Sequence, residues 1–388
     1  MDNIKLLYSH NPGTAYNYKL SKDKKMIFTF TENVLDGNTI GRIIYSISTY
    51  KKQYPNFKIP VIFHFSAPKV IIADKLSYIL LECLCYSMLN DYLTPVQIAW
   101  NPSIDILTQG INSSPLLLLN SNNQKNILDF SRKFKMDIYK NHYRKLISGQ
   151  TMKETNYLGR LYEEIDSFLK FFDISDEYRD SISEVIAELI GNACEHGDSD
   201  CLLDIDITTD YAKTEFGQTI SGSYYGINIA IINFSEILIG DALKHKVYDC
   251  NPMIDRYADV QRALEYHKNH FSDNYDETDF FNISVFQDKI SGRCQYSKSG
   301  GTGLSLLIKS LQDKSDSNKC FMISGDRAIF FYNTLLEYDS ENWLGFNETH
   351  SYLSDIPSPA TIGDCFIHMP GTGYNLNFIM KREDVNHE

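Results

Sequence analysis

Tyr-Arg-Asp-Ser-Ile-Ser-Glu-Val-Ile-Ala-Glu-Leu-Ile-Gly-Asn-Ala-Cys-Glu-His-Gly, residues 178–197, is the stretch around which the second half of the chain is organised. Its apolar residues recur at three- and four-residue steps, which predicts a helix with one face in the core. They are Ile182, Val185, Ile186, Leu189, Ile190 and Ala193. Gly197 stands where such a helix is expected to end.

Three polar residues of this helix, Glu188, Asn192 and Glu195, share one stripe beside the apolar face, at roughly 100° per residue. A carboxylate in such a place can take a proton from a nucleophile. A carboxamide oxygen one turn away can bind Mg²⁺, which prefers oxygen ligands. The alternative is an amphipathic helix whose polar edge is only solvated.

The pattern Glu188-x-x-x-Asn192-Ala193-x-x-His196-Gly197 resembles the N-box of the GHKL ATPases. This family includes type II topoisomerase ATPase domains, sensor histidine kinases and anti-sigma-factor serine kinases. The residue pattern of this chain is most similar to that of the anti-sigma-factor serine kinases. The resemblance implies ATP and Mg²⁺ as cofactors. It also implies Glu188 as the base, Asn192 as the metal ligand and His196 as part of the nucleotide site.

A glycine-rich stretch precedes the apolar helix expected over residues 304–311. Glycines before a helix let backbone N–H groups approach a phosphate, and the helix dipole favours the negative charge. A plain capping turn is the alternative. Coming after the N-box, the stretch resembles the G2 box and ATP lid of the same family, which implies phosphate binding by Ser299, Gly300, Gly301, Thr302 and Gly303. Lys298 could contact a terminal phosphate or be a solvated surface lysine.

The family's G1 box, Asp-x-Gly-x-Gly, is altered in this chain. Asn233 stands where the adenine-binding Asp is expected, and Ser235 where the first Gly is expected. An Asn oxygen can still accept the adenine amino hydrogen, but it carries no charge. Gly240-Asp241 is a displaced alternative.

The N-terminal part alternates strands and helices, which predicts an α/β layer. Strands are expected at 26–31, 60–66 and 96–100 in one sheet, with helices at 40–50 and 75–92. This order resembles STAS domains. Asp74 lies in the turn where that family keeps a phosphorylatable Ser. We favour Asp74 as a helix N-cap, and the alternative is a mimic of a permanent negative charge.

The predicted organisation has three parts. Residues 1–115 form a STAS-like α/β domain, 116–155 a connector that is helical over 127–146, and 156–388 a GHKL domain. The last is expected to be a Bergerat-type two-layer α/β sandwich on a mostly antiparallel sheet. Strands are predicted at 202–208 and 225–233, and hairpins at 320–332, turning at Gly325-Asp326, and at 365–379.

Composition limits the function further. The 388 residues carry a formal charge of −13, which argues against general nucleic-acid or anionic-membrane binding. No apolar run approaches the roughly 18–20 residues of a membrane span. The amino end does not resemble a signal peptide, and the eight cysteines lack metal-like pairing, so a cytoplasmic location is expected.

The sequence therefore predicts an ATP-binding GHKL protein with a STAS-like regulatory domain in a bacterial regulatory, stress or defence pathway. It would hydrolyse ATP or phosphorylate a protein Ser/Thr, together with a protein partner or a second copy. The alternative is a nucleotide-gated or nucleotide-free interaction module with a degenerate pocket.

Overall fold

The computed structural model describes most of the chain. The described residues are 2–9, 13–55, 58–100, 105–107, 111, 113–121, 123–154, 156–197, 199–209, 211, 213–215, 218–220, 224–249, 255–288, 290, 302–315 and 319–381.

The N-terminal part is an α/β layer with two small sheets. Its elements, in chain order, are β1 (Tyr18–Leu20), β2 (Met26–Phe30), β3 (Val34–Leu35), α1 (Gly37–Gln53), β4 (Val61–Phe65), β5 (Lys69–Ile72), α2 (Lys75–Asn90), β6 (Val96–Trp100) and β7 (Asp105–Leu107). One sheet has the order β1-β2-β4-β6, in which β2, β4 and β6 are parallel. The three predicted strands therefore share one sheet, and both predicted helices are present.

Asp74 is the N-cap of α2, which confirms the capping interpretation. One carboxylate oxygen accepts from the Ser77 backbone N–H at 2.7 Å and the other from the Ser77 hydroxyl at 2.8 Å. Burial raises the pKa of Asp74 above its ordinary value. Both oxygens thus serve the first turn of the helix.

The connector predicted to be helical over 127–146 is helical only in its first half. It contains α3 (Gln124–Lys135) and then β8 (Met136–Tyr139) and β9 (His142–Ile147). The two strands form an antiparallel hairpin, with Lys140 at φ +49° in its turn. Because β9 also pairs with a strand of the C-terminal part, sheet pairing overrides the local helical pattern here.

The C-terminal part is built on the sheet to which β8 and β9 belong. Its remaining elements are α4 (Tyr157–Leu169), α5 (Asp176–Gly197), β10 (Cys201–Thr208), β11 (Lys213–Glu215), β12 (Gln218–Ile220), β13 (Tyr224–Asn233), α6 (Asp241–Asp249), α7 (Asp255–Lys268), α8 (Glu277–Ser284), α9 (Thr302–Lys314), β14 (Phe321–Phe330) and β15 (Ile362–Lys381). The six-stranded sheet has the order β14-β15-β13-β10-β9-β8, and every neighbouring pair is antiparallel.

The two hairpins predicted at 320–332 and 365–379 are wrong. Each region is a single strand, β14 and β15, and the two strands pair with each other. Gly325 lies at φ +60° beside register shifts in that pairing, and Gly371 lies at φ +84° within β15. These glycines produce irregularities inside strands, whereas the sequence pattern predicts turns at them.

Helices cover both faces of the six-stranded sheet. Helices α4, α5 and α9 pack on one face in a core that includes Ile186, Ile205 and Ile229. Helices α1 and α2 share the other core with Leu202 and Ile232. The expected two layers are therefore joined by a third layer that comes from the N-terminal part, and the fold is a mixed α/β architecture.

A separate small core joins α6, α7 and α8 to the segment between β14 and β15. Within the described ranges, no helix has both the length and the apolar character needed to cross a membrane.

Candidate functional site

Side chains of the six-stranded sheet alternate between its two faces. On β13, Ile227, Ile229 and Ile231 belong to the core under α5, so Asn233 at the end of the strand is on the same side. Thr372 pairs with Asn233 in the register of β13 and β15. It alternates with Tyr374, which also lies in the core under α5. Both polar residues therefore face the α5 side.

Helices α5 and α9 run antiparallel, as two contacts show. The Tyr178 hydroxyl oxygen lies 3.0 Å from the Lys314 carbonyl oxygen, and the Ser181 and Ser310 hydroxyl oxygens are 3.0 Å apart. From Tyr178 to Ser181 the contact moves toward the carboxyl end of α5, and from Lys314 to Ser310 it moves toward the amino end of α9.

Extrapolated along the two helix axes, this pairing puts the first residues of α9 level with Glu188. Glu188 lies seven residues after Ser181, and Gly303 lies seven residues before Ser310, which is about 10 Å along each helix. Ser181, Glu188 and Asn192 also lie within about 40° of one another around α5. The stripe of α5 that contacts α9 therefore carries Glu188 and Asn192 to the level at which α9 begins.

Glu188 and Asn192 are half-buried. Among the described residues, neither side chain forms a hydrogen bond or an ion pair. Both residues are partly exposed, so their polar groups can bond to solvent or to a ligand. An accessible carboxylate and carboxamide at the level of a helix amino end are suited to a ligand with phosphates and a metal ion.

Asn233 is buried, at 4% exposure, near the carboxyl end of α5. Its Oδ1 accepts from the Thr372 backbone N–H at 3.1 Å, and its Nδ2 donates to the Ser199 hydroxyl at 3.4 Å. A Cβ on Gly371 would lie 2.5 Å from the Asn233 carbonyl oxygen, so the backbone of β15 approaches this point too closely for a side chain.

The other predicted site residues are placed only in part. Thr302 and Gly303 open α9, but their side chains and that of His196 lie outside the described part of the structure. Lys298, Ser299, Gly300 and Gly301 also lie outside it.

The residues near the altered G1 box have local structural roles. The Ser235 hydroxyl accepts from the Ile237 backbone N–H at 3.0 Å. Asp241 accepts from the Leu238 backbone N–H at 2.8 Å at the start of α6. Gly240 packs against Phe281, where a Cβ would be 2.9 Å from a side-chain atom. Ser235 and Asp241 therefore stabilise the turn into α6.

The opposite face of the sheet holds a buried ionic network that the sequence interpretation missed. Lys75 and Glu82 of α2 meet residues of β9 and β10, and each member is at most 4% exposed. The network also contains His142, Arg144, Asp204 and Asp206. Lys75 pairs with both aspartates, Arg144 joins Asp204 to Glu82, and His142 Nε2 lies 3.0 Å from Asp204.

The network sets the pKa values of its acids in opposite directions. Burial opposes ionisation of Asp204, but Arg144, Lys75 and His142 outweigh it and hold the pKa of Asp204 well below its ordinary value. Burial raises the pKa of Asp206, an effect that Lys75 offsets only in part. The network joins the N-terminal layer to the six-stranded sheet.

His142, Asp204 and Asp206 are close enough to be considered as metal ligands, with ligand atoms within 4.8 Å of one another. The Lys75 ammonium already binds both aspartates, and Arg144 binds Asp204. A metal ion would compete with these side chains in a buried place, so we interpret the cluster as structural. Asn192 remains the candidate Mg²⁺ ligand.

Comparisons of the chain with protein-family models, with curated proteins and with solved structures found no match. The GHKL and STAS-like assignments therefore stay predictions based on residues and their arrangement.

Proposed function

We propose that the chain binds a Mg²⁺–nucleoside triphosphate between α5 and α9, in the manner of a GHKL ATPase. ATP is the nucleotide that the sequence resemblance implies. The reaction would be hydrolysis of the terminal phosphate or its transfer to a protein Ser/Thr.

The observation that carries this proposal is the position of Glu188 and Asn192 on the α9-facing stripe of α5, level with the amino end of α9. Unpaired N–H groups and the dipole at a helix amino end favour phosphate. Asn192 offers a neutral oxygen to Mg²⁺, which bridges phosphate oxygens. Glu188 is one turn away, within reach of a nucleophile at the terminal phosphate.

The N-terminal layer is proposed as a STAS-like regulatory unit. Its helix α2 packs on the face of the sheet opposite α5. In this arrangement Asp74 and the proposed nucleotide site lie on opposite sides of the sheet. Regulation through this unit would therefore act by the packing of α2 on the strands. A protein partner or a second copy, and a cytoplasmic location, remain part of the proposal.

A nucleotide-gated or nucleotide-free interaction module is the second candidate. It is favoured by the replacement of the expected Asp and Gly of the G1 box by Asn233 and Ser235, both of which are engaged in local hydrogen bonds.

The test compares wild type with Glu188→Gln for binding and turnover of Mg²⁺–ATP. The substitution keeps the side-chain shape and removes the base, so turnover should fall by about 10²–10⁴ while affinity is retained. Glu184→Gln is the matched control, because Glu184 is exposed one turn earlier on the same helix. It should leave both quantities unchanged.

The outcomes separate the two candidates. Loss of turnover with retained binding supports the ATPase or kinase. Binding in both proteins without turnover in wild type, with candidate partner proteins added, supports the nucleotide-gated module. Absence of binding by wild type, for ATP and for other purine triphosphates, contradicts the nucleotide proposal.

A further inference from the structure

The two ends of the proposed site differ in charge. In the proposed site, helix α9 begins at the level of Glu188 and presents the partial positive charge of a helix amino end. Helix α5 ends at Gly197, and its carboxyl end presents partial negative charge near Ser199 and Asn233. Phosphate is therefore favoured at the first end and disfavoured at the second. A nucleotide lying along α5 places its uncharged base toward Asn233.

The orientation of the Asn233 amide is fixed by its neighbour on β15. The Thr372 backbone N–H donates at 3.1 Å, and a donor of this kind requires an acceptor, so the facing atom is Oδ1. Nδ2 is then turned away from β15, and its contact with the Ser199 hydroxyl is long, at 3.4 Å. An amide nitrogen has two hydrogens, so one remains beyond the contact with Ser199, and Asn233 can donate it to a base placed at this end.

We infer that the site prefers a 6-oxopurine nucleotide, with guanine or hypoxanthine as its base, over ATP, and that Asn233 determines this preference. Guanine and hypoxanthine carry an acceptor oxygen at position 6, whereas adenine carries an amino donor there. The Asn233 amide nitrogen would pair with the oxygen. If the Asn233 amide nitrogen faced the adenine amino group, two donors would meet and their buried N–H groups would be unpaired. This inference rests on the nucleotide-binding function proposed above and concerns which purine is bound.

The experiment measures binding of ATP, GTP and inosine triphosphate to the full chain with Mg²⁺ by titration calorimetry. Inosine triphosphate is the informative probe, because its base differs from adenine at the 6-position edge and lacks the 2-amino group of guanine. GTP and inosine triphosphate should bind roughly 10- to 100-fold more tightly than ATP, the usual effect of leaving a buried polar group unpaired.

The variant Asn233→Asp should reverse the preference. A carboxylate can still accept from the Thr372 N–H, but it offers only acceptors to the base and therefore suits the adenine amino group. The melting temperature of the variant reports whether it is folded, and the wild-type comparison stands without it.

Each result decides between distinct conclusions. Tighter binding of ATP than of inosine triphosphate by wild type would overturn the inference and leave nucleotide binding in place. A folded Asn233→Asp protein with an unchanged preference would overturn the role of Asn233. Absence of binding by all three nucleotides would overturn the proposed function itself.

Discussion

Substitution of Lys75 by Met removes the cation at the centre of the buried network. The Lys75 ammonium lies 2.5 Å from Asp204 Oδ1 and also pairs with Asp206. After the substitution, Asp204 keeps Arg144 and His142, whereas Asp206 loses its ammonium partner. Removing one partner of a buried pair typically costs about 3–5 kcal/mol, because the remaining charge is no longer compensated.

The expected change in melting temperature depends on whether the two parts unfold together. Unfolding entropy is about 2 cal/mol/K per residue, so one cooperative unit of 388 residues should lose about 4–6 °C. If residues 1–115 unfolded alone, the same free energy would shift their transition by about 12–20 °C. The shared core around α1 and α2 predicts the smaller shift in a single transition.

The loss of stability should depend on pH. Burial already raises the pKa of Asp206, and removal of the Lys75 ammonium raises it further. A carboxyl whose pKa is raised by folding binds its proton more tightly in the folded state. Its stabilising contribution is therefore present at low pH and is lost as the pH rises through the folded-state pKa. The deficit of Lys75→Met should therefore become smaller as the pH is lowered.

Differential scanning calorimetry measures these effects directly. Lys22→Met, at an exposed turn position, is the matched control and should change stability by less than about 0.5 kcal/mol. Adding Asp206→Asn to Lys75→Met removes the carboxylate that had paired with the ammonium and should restore about 2 kcal/mol. Two separate transitions in wild type, or a stability of Lys75→Met equal to that of the control, would refute this reasoning.

Three further predictions concern the site and the strands beside it. Asn192→Ala should weaken nucleotide binding strongly with Mg²⁺ and little without it; equal losses in the two titrations would assign Asn192 a structural role. Gly371→Ala should cost about 1–3 kcal/mol in a denaturant titration, because φ is +84° and the new Cβ would meet the Asn233 carbonyl; an unchanged midpoint would contradict this. Arg327→Met should destabilise by about 3–5 kcal/mol, since Arg327 makes two 2.7 Å bonds to the buried Asp279 carboxylate; thermal unfolding like that of wild type would exclude it.

Local patterns predicted those elements whose apolar period matches their final environment. The spacing of apolar residues over 182–193 predicted α5, and the alternation of apolar and polar residues over 202–208 predicted β10. The N-terminal strands and the Asp74 cap were predicted equally well, because their signals are local. The antiparallel pairing of α5 with α9 depends on tertiary contacts that no local pattern indicates.

Predictions failed where partners distant in sequence decide the structure. The helical pattern after Lys135 gives way to β8 and β9, because β10 supplies a pairing edge more than 50 residues later. The buried network can be recognised in the sequence from charged residues within apolar elements, although no single element indicates it. Asp204 and Asp206 alternate with apolar residues on β10, and Lys75 and Glu82 interrupt an otherwise apolar α2. Charged residues on the apolar elements β10 and α2 indicate that each element packs against a partner of opposite charge.

Equilibrium titration of the full chain with nucleoside triphosphates, with and without Mg²⁺, tests the central claim most directly. Saturable binding at one site per chain, tighter with Mg²⁺ and weakened by Asn192→Ala, is the result that the arrangement of α5 and α9 predicts. Absence of binding by any purine triphosphate in the presence of Mg²⁺, for a protein with an intact melting transition, would contradict it.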